Sequence, residues 1–324
     1  METNQLLYLS RADVEEVGLE MVTIIELLGD AFREKGAGRV EMPPKPGIHT
    51  QPDAFIHAMP AYIPALHSAG IKWVSGYPEN QKRGLPYING LLILNDDETG
   101  LPYAVMDCTW ITAYRTAGAS ALSAKYLARP ESEVVGILAC GVQGRTNLEA
   151  LAVLFPVKRV YAYDIVPEVQ QQYIEEMSAK LGLEIVGVDN PKQAVVESDL
   201  VITSGPILEQ PEPAIEQGWL QPGAFASAVD FDSYWQPAAM AQMDKLSTDD
   251  HDQFFYYRSV GYFQSTPDPY ADLGELAAGL KPGREGENER TLAINLGLAI
   301  DDMAVAPEVF RRAKERGIGT WLPL

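Results

Sequence analysis

From Glu133 onward, short apolar runs alternate with stretches whose apolar positions recur at helical intervals. "EVVGILAC" reads as a buried strand, and "GRTNLEALAVLF" has helical spacing. "VKRVYAYD" is a second strand, and "PEVQQQYIEEMSAKLG" a helix opened by proline and closed by glycine. "LEIVGVD", "PKQAVVESD", "LVITSG" and "GAFASAVD" continue the alternation. Strands separated by helices predict a parallel sheet with right-handed crossovers, the doubly wound α/β class.

The earlier part of the chain follows a different rhythm. "AFIHAMPAYI", "AGIKWVSGYP" and "INGLLILND" are strand-like pieces bounded by Pro, Gly and Asp, with a hairpin-type turn at "NDDETGLP". They predict a mixed or antiparallel sheet, hence a second domain. "TAYRTAGASALSAKYLAR", crowded with Ala and Ser, reads as a closely packed helix crossing between the domains. The tail "LAINLGLAIDDMAVAPEVFRRAKERG" reads as one long amphipathic helix returning to the first domain. The expected division is residues 1–120 with 300–324 against residues 121–299. No internal repeat or low-complexity segment interrupts it.

Composition narrows the setting. The 324 residues are 46% hydrophobic and 22% charged, an ordinary globular mix with room for two cores. The N-terminus lacks the apolar core of a signal peptide, and no apolar run is long enough to span a bilayer. Two cysteines far apart, Cys108 and Cys140, argue against a disulfide framework and for a reducing cytoplasm. A formal net charge of −20 argues against nucleic acid, whose phosphates need a basic surface. It leaves open a local basic pocket within an acidic surface.

Candidate chemistry begins at "VVGILACGVQGRTNLEAL", which runs from strand through a glycine-rich turn into a helix. Gly141 and Gly144 hold the second and third glycine positions of a dinucleotide loop, where backbone approaches diphosphate and helix packs on strand. Ala139 stands in place of the first glycine; it loses some turn freedom but adds only one methyl. The helix that follows offers its first N–H groups to phosphate. Asp164 closes the second strand, where a carboxylate accepts from ribose hydroxyls and repels a 2′-phosphate. No arginine follows it directly, so NAD(H) is expected over NADP(H).

Elsewhere the four histidines, His49, His57, His67 and His251, have no zinc-site spacing, and no nucleophile elbow occurs. Lys72 interrupts an apolar strand, where it either snorkels or meets an anion. Arg115 opens the small-residue helix, where its planar fork suits a substrate carboxylate or a structural salt bridge. Asp230 ends a predicted sheet strand at the edge where open α/β folds bind ligands.

The run "IKWVSGYPENQKRGLPYINGLLILNDDETGLPYAVMDCTWITAYRTAGASALSAKYLA", followed by "GVQGR" and "AINLGLAIDDMAVA", resembles the ornithine cyclodeaminase/mu-crystallin family. "MPPK" upstream and "PGREGENERT" downstream extend the resemblance over most of the chain. It implies a Rossmann domain and a discontinuous α+β domain that binds substrate and forms a homodimer. Members include cyclodeaminases, NAD-linked amino-acid dehydrogenases, imine reductases and a non-catalytic binding protein. Carried over by position, Lys45, Lys72 and Arg115 match the cationic pocket for a substrate carboxylate, with His57 and Met59 lining it. Asp230 matches the acid that gives or takes a proton; Asp230 and Lys72 are the catalytic candidates. Gly141, Val142, Gln143, Gly144 and Arg145 match the cofactor loop, joined by Thr116, Asp164, Ser204 and Asn295; many members carry serine at the last position.

The resemblance therefore implies hydride transfer between NAD(H) and the α-carbon of a small amino acid or its imine. The alternatives are cyclodeamination of ornithine to proline and ammonia, or ligand binding without catalysis. His57 falls where the cyclodeaminase pattern has a glutamate to receive a terminal ammonium, and a histidine supplies no fixed negative charge. "FDSYWQP" after Asp230 also departs from that pattern, placing Phe231, Tyr234 and Trp235 at the pocket edge. Both changes favour a dehydrogenase or an imine reductase.

Overall fold

The computed structural model describes residues 5–208 and 210–324. It separates into two compact units, one of Met1–Arg115 with Leu298–Leu324 and one of Thr116–Gly297.

The first unit opens with β1 (Gln5–Leu9), α1 (Arg11–Val17) and α2 (Met21–Gly36). Ser10 starts α1 through a capping box: its hydroxyl accepts from the Asp13 amide, and the Asp13 carboxylate accepts from the Ser10 amide at 2.8 Å. Strands β2 (Gly47–Ile48), β3 (Phe55–Ile63), β4 (Ser68–Gly76), β5 (Ile88–Asn95) and β6 (Pro102–Asp107) follow. From β2 to β6 each neighbour pairs antiparallel, as the turn residues between them predict. Helix α3 (Thr109–Leu127) then carries the unit boundary within it. It begins one turn earlier than its small-residue stretch, so Arg115 sits in its second turn rather than opening it.

The second unit is a parallel sheet with both faces covered. Its elements are β7 (Val134–Leu138), α4 (Val142–Leu154), β8 (Arg159–Tyr163), α5 (Pro167–Leu181), β9 (Glu184–Gly187), α6 (Pro191–Val195), β10 (Leu200–Thr203) and β11 (Phe225–Ala228). Then come α7 (Pro237–Met240), β12 (Lys245–Thr248), α8 (His251–Ser259), β13 (Ala271–Asp272), α9 (Leu273–Ala277) and β14 (Thr291–Ile294). The strand order is β13-β12-β14-β11-β10-β7-β8-β9, all parallel. Val135, Ile137, Leu200 and Ile202 enter the core on one face; Leu138, Val201, Ala226 and Leu292 enter the core on the other. Burial on both faces explains why these strands read as continuous apolar runs.

One expectation changes. The tail does not form a single helix: "LAINLG" contributes β14, inserted between β11 and β12, and the helix begins only at Ala299. A short apolar run buried on every side has no period, so spacing does not separate strand from helix there.

The chain returns to the first unit as α10 (Ala299–Arg316) and β15 (Thr320–Pro323). That completes a seven-stranded sheet, β15-β1-β6-β5-β4-β3-β2, in which β1 runs parallel to β6. Helix α10 packs on β3, β4 and β5 and contains Pro307. Proline at that point deprives the Met303 carbonyl, four residues back, of its helical donor. The Ser68 hydroxyl, at the start of β4, supplies a replacement at 2.6 Å. Both residues are fully buried, so the bond satisfies a carbonyl that water does not reach. Ser68→Ala is expected to lower unfolding free energy by ~1–3 kcal/mol, the cost of an unanswered buried acceptor. Urea denaturation measures it, and an unchanged midpoint would mean the carbonyl finds another donor.

Candidate active site

The glycine-rich loop lies at the carboxyl end of β7, at the point where strand order reverses between β7 and β10. Ala139 adopts φ 76°, a left-handed conformation that costs a residue with a Cβ about 1–2 kcal/mol. The first-glycine position thus demands the glycine conformation, and alanine is held in it from three sides. Its amide donates to the Tyr163 carbonyl at 2.9 Å, and its carbonyl accepts from the Ser204 hydroxyl at 3.1 Å. The next amide, that of Cys140, donates to Asp164 Oδ2 at 2.8 Å. A Cβ on Gly144 would lie 2.4 Å from the Ala139 carbonyl oxygen, so close helix–strand packing needs glycine there. A Cβ on Gly141 would meet nothing within 4 Å. Gly141 caps α4 without any side-chain hydrogen bond, and Val142 is exposed. The loop therefore presents an open cradle of backbone N–H groups, which fits a dinucleotide diphosphate.

Other members of the predicted cofactor set are tied into the second unit. Arg145 donates from Nε to Glu176 at 2.8 Å, also donates to the Cys140 carbonyl, and stacks 5.5 Å over Tyr173. Gln143 Oε1 accepts from Asn147 at 3.3 Å. Asp164 Oδ1 accepts from the Val166 amide at 2.9 Å, so each carboxylate oxygen braces backbone. Asn295 is buried and bonds Ser123 of α3 at 3.3 Å, and buried Thr116 accepts from Ser120 through its carbonyl.

Asp230 follows β11 at the same edge of the sheet and is wholly enclosed. Thr203 Oγ1 donates to its Oδ1 at 2.7 Å, and the Gly205 amide to its Oδ2 at 3.0 Å. Trp235 Nε1 donates in turn to Thr203 at 3.2 Å, fixing that hydroxyl's direction. Burial outweighs these bonds and pushes the Asp230 carboxyl up to about 7. Phe231 takes φ 62°, a left-handed turn anchored in a cluster with Tyr257, Tyr262 and Phe263. Asp232, beyond the turn, is less enclosed and bonds Thr266 at 2.8 Å; burial raises its pKa as well.

In the first unit Lys72 is fully buried, and it meets an anion rather than snorkelling. Its Nζ lies 2.7 Å from Asp302 of α10 and 3.3 Å from Thr112 Oγ1. Arg115 pairs with Asp301 at 3.0 Å and Asp302 at 3.3 Å. Two of the three expected cations are thus matched by two internal carboxylates. Burial, reinforced by Arg115, holds the Lys72 pKa below its ordinary value; burial pushes Asp301 up to about 6. Lys45 is buried, and Met59 pairs opposite Lys72 between β3 and β4. His57 stacks on Phe55 at 4.3 Å. Burial first, then the positive fields of Lys45, His49 and Lys72, pull it down to about 3, so it is neutral at physiological pH.

The sequence alone did not single out Asp301, Asp302 or Thr203. The signal for the first pair was available: adjacent acids inside "AINLGLAIDDMAVA" need buried partners as much as Lys72 does. His251 also gathers with Asp272 and Glu275, close enough to share a metal ion. Those two carboxylates, however, already form the capping box of α9.

A doubly wound unit with a glycine-rich loop at its switch point, joined in one chain to an antiparallel unit with buried cations, defines a two-unit dinucleotide-binding class. Comparison with known proteins makes it specific. The model of the ornithine cyclodeaminase/mu-crystallin family matches residues 5–317. Alanine dehydrogenase of Archaeoglobus fulgidus is 33% identical over 328 residues, spanning 99% of this chain and 98% of that protein. The Thermococcus litoralis Delta(1)-pyrroline-2-carboxylate reductase, solved with NADH and L-proline, superposes with a TM-score of 0.88 at 34% identity, covering 97% of this chain and 99% of that one. An archaeal alanine dehydrogenase dimer with bound NAD gives 0.87 at 31% identity, covering 98% and 99%. The chain belongs to the ornithine cyclodeaminase/mu-crystallin family, and it is an oxidoreductase of that family.

The neutral His57 has a measurable consequence. The unfolded chain protonates a histidine below about 6.5, whereas the native imidazole stays neutral to about 3. The native state therefore loses roughly 1.4 kcal/mol of stability per pH unit below 6.5 through this residue. Buried Asp230 and Asp301 act in the opposite sense, so the effect is read as a difference. Wild type is expected to lose stability relative to His57→Gln at that slope between pH 6.5 and 5. Parallel pH profiles would mean that the imidazole protonates in the native state.

Proposed function

We propose that this protein interconverts a small α-amino acid and its imino acid, with NAD(H) as redox partner. The observation that carries the reading is the open backbone cradle at Gly141, ahead of the uncapped start of α4 and braced by Asp164. When bound, NAD(H) would supply the hydride chemistry at the amino-acid α-carbon or its imine. The chain's own residues position and charge the reactants. Amides at Gly141–Gly144 bind diphosphate, and Arg145, Thr116, Ser204 and Asn295 complete the cofactor set. Each Asp164 oxygen retains a second lone pair for ribose hydroxyls, and its charge disfavours a 2′-phosphate, so NAD(H) is preferred over NADP(H).

In the first unit, Lys45 and Arg115 hold the substrate carboxylate. Lys72, Asp301 and Asp302 fix the direction of the Arg115 fork, which is positional catalysis. Asp230, held near neutrality by burial, keeps or releases the proton that amine and imine exchange. His57 and Met59 line the side-chain end. A neutral imidazole there offers no counter-charge to a terminal ammonium, which favours a dehydrogenase or imine reductase over a cyclodeaminase. Buried, unpaired Cys108 and Cys140 suit a reducing cytoplasm.

The test is turnover with NADH or NADPH against a panel of amino acids, keto acids with ammonia, and cyclic imines. NADH-linked turnover is expected, with Asp230→Asn lowering its rate roughly 10²–10⁴-fold at nearly unchanged NADH affinity. A loss confined to Asp232→Asn would move the proton role to that residue. Tighter binding of NADPH would remove the role given to Asp164. NADH binding without turnover would make the chain a ligand-binding protein, and efficient conversion of L-ornithine to proline and ammonia would restore cyclodeamination.

We also propose a homodimer through the first unit's sheet. Trp73 and Leu91, direct partners across β4 and β5, are 48% and 45% exposed on the face away from buried Lys72 and Leu92. An aromatic–aliphatic pair left open on a sheet is the kind of surface a second copy covers. Trp73→Glu is expected to give monomers in sedimentation experiments where the wild type is dimeric. A dimeric variant would place the interface elsewhere.

A further inference from the structure

Tyr234 takes no part in the reactions above, yet it stands where four strands end. Its ring lies on the backbone after β10: a Cβ on Gly205 would be 2.5 Å from Tyr234 Cε2 and 3.2 Å from its hydroxyl oxygen. Its main chain is held on both sides. The Tyr234 carbonyl accepts from the Ile215 amide at 2.8 Å, and Trp235 is buried with its indole on Thr203. The phenol lies within the electrostatic reach of Asp230 after β11, of Asp164 and Tyr163 at the end of β8, and of Cys140 after β7. Those ends, with β10 beneath the ring, border the crevice at which strand order reverses. Burial and the nearby carboxylates raise the phenol's pKa, so it keeps its proton and acts as a donor. Among the described residues, that hydroxyl makes no hydrogen bond, although the ring is only partly exposed.

We infer that Tyr234 is a cofactor-binding residue, laying its ring across the crevice and donating its hydroxyl to the dinucleotide's diphosphate. This rests on the dinucleotide reading above and adds a residue to it. The choice of diphosphate follows from position. Asp164 serves the adenosine ribose and Asp230 the reacting end; between them lie the diphosphate and the nicotinamide ribose, and of these only the diphosphate is anionic. A neutral donor among carboxylates is also what an anionic bridge needs to pass close to them. Gly205 is then glycine because any side chain there would lift the ring from its seat.

The test is the binding of NADH, followed by fluorescence, and of ADP-ribose, followed by calorimetry, to the full chain. Tyr234→Phe is expected to weaken both roughly ten- to a hundredfold, the worth of one hydrogen bond to a charged group. Thermal unfolding without ligand should be unchanged. Gly205→Ala should produce a similar loss by displacing the ring, and the double variant should be no worse than either alone. Tyr234→Phe with wild-type affinity would overturn the inference, as would tighter binding, which would mark the ring as an obstacle. Loss of NADH affinity with ADP-ribose affinity intact would place the contact on the nicotinamide half and overturn the diphosphate assignment. If the wild type bound neither ligand, the dinucleotide reading would fall and this inference with it.

Discussion

The first unit is organised around burying charge. Lys72 sits in the middle of an apolar strand with no exposure, and an enclosed ammonium without a partner costs several kcal/mol. Its partner, Asp302, lies far away in sequence on α10, and Arg115 of α3 shares the same pair of aspartates. Breaking any one of these contacts strands a charge, so β4, α3 and α10 are held as a group. The last residues of the chain return to the first unit to close this cluster, and β15 follows α10 onto β1. Such a cluster is weak evidence for stability but strong for orientation, because the Arg115 fork has one direction in which both pairs form.

A related economy governs the second unit. Ala139 occupies a conformation suited to glycine, and it is held there by loop amides donating to Tyr163 and Asp164 and by the Ser204 hydroxyl donating to its carbonyl. Asp164 thus braces the loop through both carboxylate oxygens. Two strained turns, at Ala139 and Phe231, flank one edge of the sheet, and both aim polar groups where the strands end. Strained turns at a strand edge can shape a site built on loops where rigid strands support them. Here eight parallel strands buried on both faces provide that support.

Much of this was legible in the sequence. The alternation from Glu133 gave the parallel sheet, Pro167 and Gly182 marked the ends of α5, and the hairpin residues gave the antiparallel strands. The glycine spacing located the loop, while the left-handed conformation of Ala139 emerged only in the structure. Lys72 and Arg115 were recognisable as charges that needed partners. Their pairing with Asp301 and Asp302 was not, since adjacent acids in an apolar stretch signal a need for partners without saying which cations meet them.

Local pattern sets what each segment becomes, because period and turn chemistry act over a few residues. It does not set which segments meet. The insertion of β14 between β11 and β12, the Ser68 hydroxyl answering the carbonyl freed by Pro307, and the Tyr234 ring seated on Gly205 all join residues remote in sequence. Each depends on burial and close approach, which arise only when elements pack. By itself the sequence determined most of the elements, the class of fold and the place of the glycine-rich loop. Tertiary structure alone decided that two of the three expected cations are matched by internal acids and that His57 is neutral, because desolvation and pairing are properties of the packed interior.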